Sequence, residues 1–588
     1  MIREAPDDPS ITIEARRRIR VKEFTGIEGT NFFGDDQGLK SLLADLLPDN
    51  QRDDIFGSLS RFGELAGGSW NDLAAQASRP ENLPRIVKYD RAGNPVERIE
   101  FGRLTAQLRR EVAESGLLTR THSEVQKFAM IYLLAHNGEA SLTCPISCTD
   151  GLVYALEAKG SESLKDHYLP KLISAETPFA GAQFVTERSG GSDVGAIEAS
   201  ASPNGDGTWS ITGEKWFCSN PDEFFAVAAR VNGGTGGGSS GTSGVALFFV
   251  PRVLPDGGIN SLSYRRLKDK LGTQSLPTAE IDFNGSTAYP IGDPSEGFKT
   301  LMNYIINASR LHNAANACGF LRRAFIEARN YARQREAFGQ AIIRYPLIQE
   351  TLLSLLERLW RHRVLSFKLV AMVEKNGIAP AEANTAMWQR FLTNLAKYRT
   401  ASTLTASIHD AITVLGGNGI VEDFSVLPRL LRDAMIIETW EGAHNTLCLQ
   451  ITRDLGKSSL LERWRAEVNG VLTRWPRDVM PRTRRRFDQT FRQTLEEVTT
   501  ERLADSAWPA VNARRLVDRL GDLLELSWMA DFALRHTDDA TSAVLTSIAG
   551  RSLLPILNVF EDGGYEYIAR HGAELIAETP IETDPALL

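Results

Sequence analysis

Apolar residues recur at spacings of three and four along most of this chain, and the pattern breaks once, in the middle. Before about residue 175 the segments FGRLTAQLRREVAES, EVQKFAMIYLLAHNGEA and DGLVYALEAKG carry the helical period. Residues 1 to about 60 mix Gly, Asp and short apolar patches, which predicts an irregular arm with one helix near Leu39 to Leu47. Between Gly181 and Ile291, β-rich runs such as FAVAARV and GVALFFVPR alternate with Gly-rich turns, and TWSITGEKWF alternates with period two around a Thr-Gly turn. These predict a small antiparallel β domain, with the Gly/Ser-rich residues 232 to 244 as a hairpin tip. From Gly297 the helical period returns in four long amphipathic segments, the pattern of a helix bundle, and about 130 further helical residues follow Leu455.

The expected organisation is therefore mainly α with a central antiparallel β domain. Its parts are an arm and helical domain at 1–180, a β domain at 181–292, a helical bundle at 293–455 and a helical extension at 456–588. A length of 588 residues agrees, since one hydrophobic core stops growing near ~250 to 300 residues. Basic residues near the start are not followed by a 7 to 15 residue apolar stretch, and no apolar run reaches 18 residues, so a soluble cytoplasmic protein with no membrane span is expected. A formal charge of −8 disfavours nucleic acid as the default partner. It is an average, however: residues 456–520 sum to +5 and residues 521–588 to −9.

Five cysteines, Cys144, Cys148, Cys218, Cys318 and Cys448, are too few for a disulfide framework and fit reduced thiols. Cys144 and Cys148 lack the further ligands a zinc site needs, so no metal is expected. The Gly-rich stretch near residue 235 lacks the Gly-Lys-Ser/Thr of a phosphate-cradling P-loop.

Five motifs stand at the junctions: QFVTERSGGSD (183–193), GEKWFCSN (213–220), REAFG (335–339), LGGNG (415–419) and WEG (440–442). Together, in this order and spacing, they resemble the acyl-CoA dehydrogenase family of flavoproteins. LKDKLG (267–272), TCPIS (143–147), Lys88-Tyr89-Asp90 before a Gly-Asn turn, and the helical extension are similar to the AidB branch of that family. The resemblance implies the family fold and FAD as cofactor. It also implies a homodimer or homotetramer, because Arg335 and the Gly416 to Gly419 turn act across subunits in that family.

It further implies roles for particular residues. Gln183, Val185, Thr186, Gly191 and Ser192 would supply donors and acceptors to the pyrimidine edge of the flavin. Phe217 would stack where most of the family has Trp, and Ser219 would reach N5 where most have Thr. Arg335 and Phe338, with Gly416, Gly417 and Gly419, would hold the diphosphate of a neighbouring subunit's FAD. Glu441 is the candidate catalytic base, abstracting the α proton of an acyl thioester while hydride leaves the β carbon; Trp440 and Ile437 would give it an apolar surround. Ser309 occupies the alternative base position before Arg310 and cannot substitute. Arg310, Arg188 and Tyr304 are candidate substrate contacts.

Departures from the family pattern are equally legible. Ala443-His444-Asn445 follows Glu441-Gly442, with Asn445 a plausible FAD contact and His444 a possible proton shuttle or simply a packed side chain. Asn307 stands where many relatives bind coenzyme A with Asp, and Arg188 replaces the usual Pro after Thr-Glu. Three readings follow: an acyl-CoA dehydrogenase acting on a small-molecule acyl thioester; an AidB-like flavoprotein with weak dehydrogenase activity whose extension meets DNA through Arg482, Arg484, Arg485 and Arg486; and a flavin oxidase or monooxygenase acting on a carrier-bound or free acyl substrate.

Overall fold

A computed structural model describes residues 24, 26, 27, 29–232, 241–457, 459–505, 507–536 and 572–578. Most of the Gly/Ser-rich tip and most of the acidic final segment lie outside the described residues.

The first helical domain begins earlier than its sequence texture suggests. Helix α1 (Gln37–Leu46) is the one helix expected in the arm; α2 (Asp49–Gly67), which starts within the stretch expected to be irregular, and α3 (Ser69–Ala77) are additional. Helix α2 buries Ile55, Leu59, Phe62 and Ala66 at helical spacing, and its glycines are the reason for the misreading. A Cβ on Gly67 would lie 1.9 Å from the Thr30 carbonyl oxygen, and one on Gly63 would lie 2.6 Å from the Phe33 nitrogen, so these glycines permit close packing of the arm. A hairpin of β1 (Arg85–Tyr89) and β2 (Pro95–Glu100) follows, its turn fixed by Asp90, whose Oδ1 accepts from the amides of Ala92 and Asn94. Helices α4 (Arg103–Glu114), α5 (Glu124–Ala135), α6 (Thr143–Lys159) and α7 (Glu162–Leu172) complete this part.

The β domain contains β3 (Gly181–Phe184), β4 (Ser200–Pro203), β5 (Trp209–Ser219), β6 (Phe224–Val231), β7 (Val245–Pro251), β8 (Leu262–Leu267) and β9 (Thr278–Pro290). Strand order is β3-β6-β4-β5-β9-β7, with β8 on β9 and β7 returning to β6, so the sheet closes on itself. Pairing is antiparallel except where β6 runs parallel to β3 and β4. No turn interrupts TWSITGEKWF: it is the single strand β5, and Gly213 at φ +137° sits beside a register shift after Ile211. Inward side chains such as Phe184, Phe225, Phe248 and Phe283 fill the interior. Strand β7 is buried on both faces, because α6 and α7 cover its outer side through Leu156, Leu164 and Tyr168.

After a π-helical turn over Leu301–Ile306, the bundle is built from α8 (Asn307–Gln334), α9 (Pro346–Asn376), α10 (Ala383–Ser402) and α11 (Leu404–Leu415), closed by α12 (Leu427–Thr439) and α13 (His444–Lys457). Helix α8 is buried along almost its whole length and forms the axis on which the first domain and the bundle share one core. The extension contributes α14 (Leu460–Arg474), α15 (Pro481–Glu497), α16 (Thr500–Ala504) and α17 (Ala507–Arg535). Helix α17 docks on the bundle through apolar contacts and a buried ion-pair cluster around Arg399 and Glu525.

Candidate active site

Glu441 lies in the turn between α12 and α13, at φ +57°, a left-handed conformation that costs a side-chain-bearing residue roughly 1 kcal/mol or more unless its surroundings impose it. They do so from three sides. Arg310 Nε donates to the Glu441 carbonyl at 2.9 Å, and its Nη1 to Asn394 Oδ1 at 2.5 Å. Lys397 Nζ donates to the carbonyls of Glu438 (2.9 Å) and Gly442 (3.0 Å), stitching the end of α12 to the residue after the acid. Asn313 Nδ2 donates to the Ile437 carbonyl at 3.1 Å.

The carboxylate itself is held by Gln183, whose Nε2 donates to Glu441 Oε1 at 2.7 Å. Ser309 Oγ sits 3.0 Å from Nε2 and 3.2 Å from Oε1 of the same amide. Burial raises the Glu441 pKa above the ordinary carboxylate range, against the opposing pull of Arg310, Lys397 and Gln183. The same burial lowers Lys397 to about 7 and Arg310 to about 10. Trp440 packs with Cys144, Cys148 and Leu276 to form an apolar wall beside the acid.

Toward the β domain, Val185 and Thr186 precede, and Gly191 and Ser192 follow, the tight turn closed by reciprocal hydrogen bonds between Glu187 and Gly190. A Cβ on Gly191 would meet the Thr186 hydroxyl at 2.8 Å, so this position must be glycine for the turn to fold over Thr186. The turn is locked by a buried ion pair, Lys215 Nζ to Glu187 Oε1 at 2.6 Å, and by the Trp216 amide donating to the Thr186 carbonyl. Phe217 and Ser219 leave the barrel on the same outward face of β5, on either side of the buried Cys218. Phe217 is 54% exposed, a flat apolar surface beside a polar turn, which suits a flavin ring.

Arg335, Gly416 and Gly417 converge on a separate cleft of about 350 Å³ with Tyr331, Ile342 and Asn418. Added Cβ atoms on Gly416 and Gly417 would meet nothing within 4 Å, so both glycines present open backbone to the cleft. Gly419 differs: a Cβ there would strike the Ile412 carbonyl at 2.5 Å, so its glycine serves packing. Phe338 caps the β10–β11 hairpin (Glu336–Ala337, Gln340–Ala341) beside this cleft and is 97% exposed. A cation, open backbone and a neighbouring apolar tip fit the diphosphate and ring of a dinucleotide.

The remaining candidates are placed as follows. Arg310 holds the Glu441 turn through Nε and Asn394 through Nη1, which makes it a positioning residue for the acid. Arg188 is turned away to Glu214 at 2.6 Å, in a chain that continues through Arg265 to Asp282. Tyr304 belongs to the π-helical turn and packs between two cores. Asn445 is exposed and accepts from Arg514 of α17 at 2.9 Å. His444 packs edge-on to Tyr398, and burial with the nearby cations Lys397 and Arg514 lowers it to about 4, so it is a neutral imidazole at pH 7. The four arginines of α15 do not share one face. Arg484 and Arg485 line a cleft of about 460 Å³ with Arg477 and Arg492, Arg484 also capping α14 by donating to the Trp475 carbonyl, whereas Arg482 and Arg486 do not line it. Lys397 and Asn394 were missed as functional candidates, because nothing local marks a helix residue as lying under a turn dozens of positions away; Ser309 was considered only as a base, and its contact with Gln183 was not foreseen. Among the described residues no cluster of His, Cys, Asp or Glu could hold a metal ion, and no helix is long and apolar enough to cross a membrane.

A closed β domain between helical domains, with a half-buried acid beside an apolar wall, defines the architecture of a three-domain flavoprotein dehydrogenase. Comparison with known proteins makes the class specific. The chain matches the family models for the acyl-CoA dehydrogenase middle domain at 182–286, the acyl-CoA dehydrogenase C-terminal domain at 295–456 and the adaptive response protein AidB N-terminal domain at 24–177. It is 30% identical over 464 residues to acyl-CoA dehydrogenase family member 11 of Caenorhabditis elegans, covering 76% of this chain and 74% of that one. It is 30% identical over 441 residues to the putative acyl-CoA dehydrogenase AidB of Escherichia coli K12, covering 71% and 78%. The solved structure of C. elegans ACDH-11 in complex with C11-CoA superposes with a TM-score of 0.82 at 25% identity, covering 91% of this chain and 92% of that one. The chain therefore belongs to the acyl-CoA dehydrogenase family of FAD-dependent oxidoreductases, and carries the AidB-type N-terminal domain.

Proposed function

We propose that this protein is an FAD-dependent acyl-CoA dehydrogenase in which Glu441 is the catalytic base. The observation that carries the reading is the half-buried Glu441 carboxylate, raised in pKa by desolvation and held by Gln183 beside an apolar wall. A base for an α C–H must be ionised near working pH yet strong, and burial supplies the strength while Arg310 and Lys397 keep the ionised form accessible. Gln183, Val185, Thr186, Gly191, Ser192, Phe217 and Ser219 would hold the flavin ring, with Asn445 a further contact. Bound FAD supplies the acceptor for the β hydride. The Cα–H pair of electrons becomes the new C=C bond as Glu441 takes the proton, so one two-electron oxidation yields the α,β-unsaturated thioester.

Arg335, Gly416 and Gly417 would take the diphosphate of a second copy's FAD, which supports a homodimer or homotetramer; exposed Phe338, Leu347 and Ile420 give that contact its apolar surface. The substrate class is an acyl thioester of coenzyme A, as the C11-CoA complex of ACDH-11 suggests. The test is anaerobic flavin bleaching by a panel of acyl-CoAs: the wild type bleaches, and Glu441→Gln keeps its yellow flavin without bleaching. Unchanged turnover in that variant removes Glu441 from the mechanism. Oxygen uptake during aerobic turnover would instead indicate an oxidase or monooxygenase.

A second reading, DNA association through the extension, is favoured by the cleft that gathers Arg477, Arg484, Arg485 and Arg492 around the single acid Asp488. Salt-dependent retardation of duplex DNA, lost on replacing Arg477, Arg485 and Arg492, supports it. Absence of retardation at low salt ends it.

A further inference from the structure

Behind Ser219 runs a short file of polar groups that the dehydrogenase reading leaves unused. Ser219 and Thr278 are cross-strand partners of β5 and β9, and their hydroxyl oxygens lie 3.1 Å apart. Thr278 is buried, 3% exposed, and its Oγ1 also lies 2.9 Å from Lys270 Nζ. Lys270 is anchored by a second bond, Nζ to the Leu276 carbonyl at 2.8 Å, and the ionisable groups around it are Glu139, Cys144 and Asp433.

Hydrogen-bond inventory gives this file a direction. An ammonium has donors and no acceptor, so Lys270 donates to Thr278 Oγ1. The Thr278 hydrogen then goes to its other partner, Ser219 Oγ. Ser219, having accepted, keeps its own hydrogen for the open face it shares with Phe217. Without Lys270 the pair could equally run the other way, Ser219 donating inward and presenting only a lone pair. Burial lowers Lys270 to about 8, its carboxylate and thiol neighbours pulling the other way, so it is charged at neutral pH.

We infer that Lys270 is a positioning residue that orients the Thr278–Ser219 hydroxyl pair, so that Ser219 presents a hydrogen-bond donor to the flavin face of the β domain. The inference rests on the reading that FAD lies against Phe217 and Ser219. A donor there, backed by a cation, stabilises added electron density on the ring system.

The test is the two-electron midpoint potential of bound FAD, with FAD affinity measured by titrating apoprotein, in Lys270→Met, Lys270→Arg, Thr278→Val, Ser219→Ala and the Ser219→Ala/Lys270→Met pair. Lys270→Met should disfavour reduction by tenfold or more, about 30 mV for a two-electron couple. Lys270→Arg should retain most of the wild-type value, and Thr278→Val, nearly isosteric, should reproduce the Lys270→Met shift. In the pair, Lys270→Met should add little once Ser219 is gone. If the two shifts add in full, the cation acts through space and the relay is overturned. If Ser219→Ala changes neither potential nor affinity, the flavin placement itself is wrong, which is a separate failure.

Discussion

Gln183 donates its amide hydrogen to Glu441 across 2.7 Å, joining the first strand of the β domain to the turn after the bundle, 258 residues later. The ionised acid accepts only, so it fixes which end of that amide faces it, while Ser309 Oγ contacts both amide atoms and can serve as donor or acceptor. The bond stabilises the ionised carboxylate and so lowers a pKa that burial raises. Gln183→Leu should therefore raise the Glu441 pKa further, and the acid limb of kcat/KM should move to higher pH. A hydrogen bond to a charged group contributes about 1.5–3 kcal/mol, which corresponds to roughly one to two pH units. A pH–rate profile checks this; a limb that stays put would separate the kinetic base from Glu441.

Arg335 lines the same cleft as the open backbone of Gly416 and Gly417. Arg335→Gln should weaken FAD binding by about 10- to 100-fold, the loss of one charge-assisted bond, while leaving the thermal unfolding of the apoprotein unchanged. Flavin fluorescence on titrating apoprotein with FAD measures it. An unaltered affinity would place the diphosphate elsewhere.

The turns and glycine clusters of the candidate site were largely legible, because they sit in short contiguous motifs where glycine and polar spacing have a local reason. QFVTERSGGSD announces a turn, and the structure finds one, locked by Glu187 and Lys215. What escaped was tertiary. Lys397 lies mid-helix in α10 outside every motif, yet it is fully buried and holds two carbonyls around Glu441. Helix α2 escaped for the opposite reason: Gly63 and Gly67 lower helix propensity, and the compensation, a close approach of the arm, is nonlocal. The four arginines of α15 looked like one patch in sequence, but consecutive helix positions face different directions.

Glu525 is fully buried on α17 and faces two guanidiniums, Arg399 at 3.0 Å and Arg361 at 2.8 Å, which belong to bundle helices α10 and α9. Asp522 and Asp518 complete the cluster around Arg399. Glu525→Leu would leave buried cations short of a counterion, a change that typically costs about 3–5 kcal/mol. Urea unfolding should show a loss of that order, with the extension becoming the first site of limited proteolysis. A loss under about 1 kcal/mol would mean that the apolar face of α17 suffices to dock it.

Acid should act on this fold through its buried imidazoles. Burial lowers His362 from an ordinary 6.5 to about 3, with Arg399, Arg361 and Arg358 adding to the effect and Glu525 opposing it. Between about 6.5 and 3 the unfolded chain therefore binds one more proton at this position than the native one, and stability falls as pH falls through that window. Glu139 runs the other way. Burial and Asp433 raise it from 4.5 to about 7, so it is protonated in the native state where the unfolded carboxyl is ionised, and its contribution is lost as pH rises through that interval. His362→Gln should accordingly flatten the dependence of unfolding free energy on pH below 6.5 by up to about 1.4 kcal/mol per pH unit, the value of one proton. Glu139→Gln should steepen the acid loss between 4.5 and 6.5, because it removes the opposing proton. Urea midpoints at half-unit intervals from pH 4 to 7 measure both slopes. Parallel curves for the wild type and His362→Gln would mean that this imidazole titrates in the native state as it does in water.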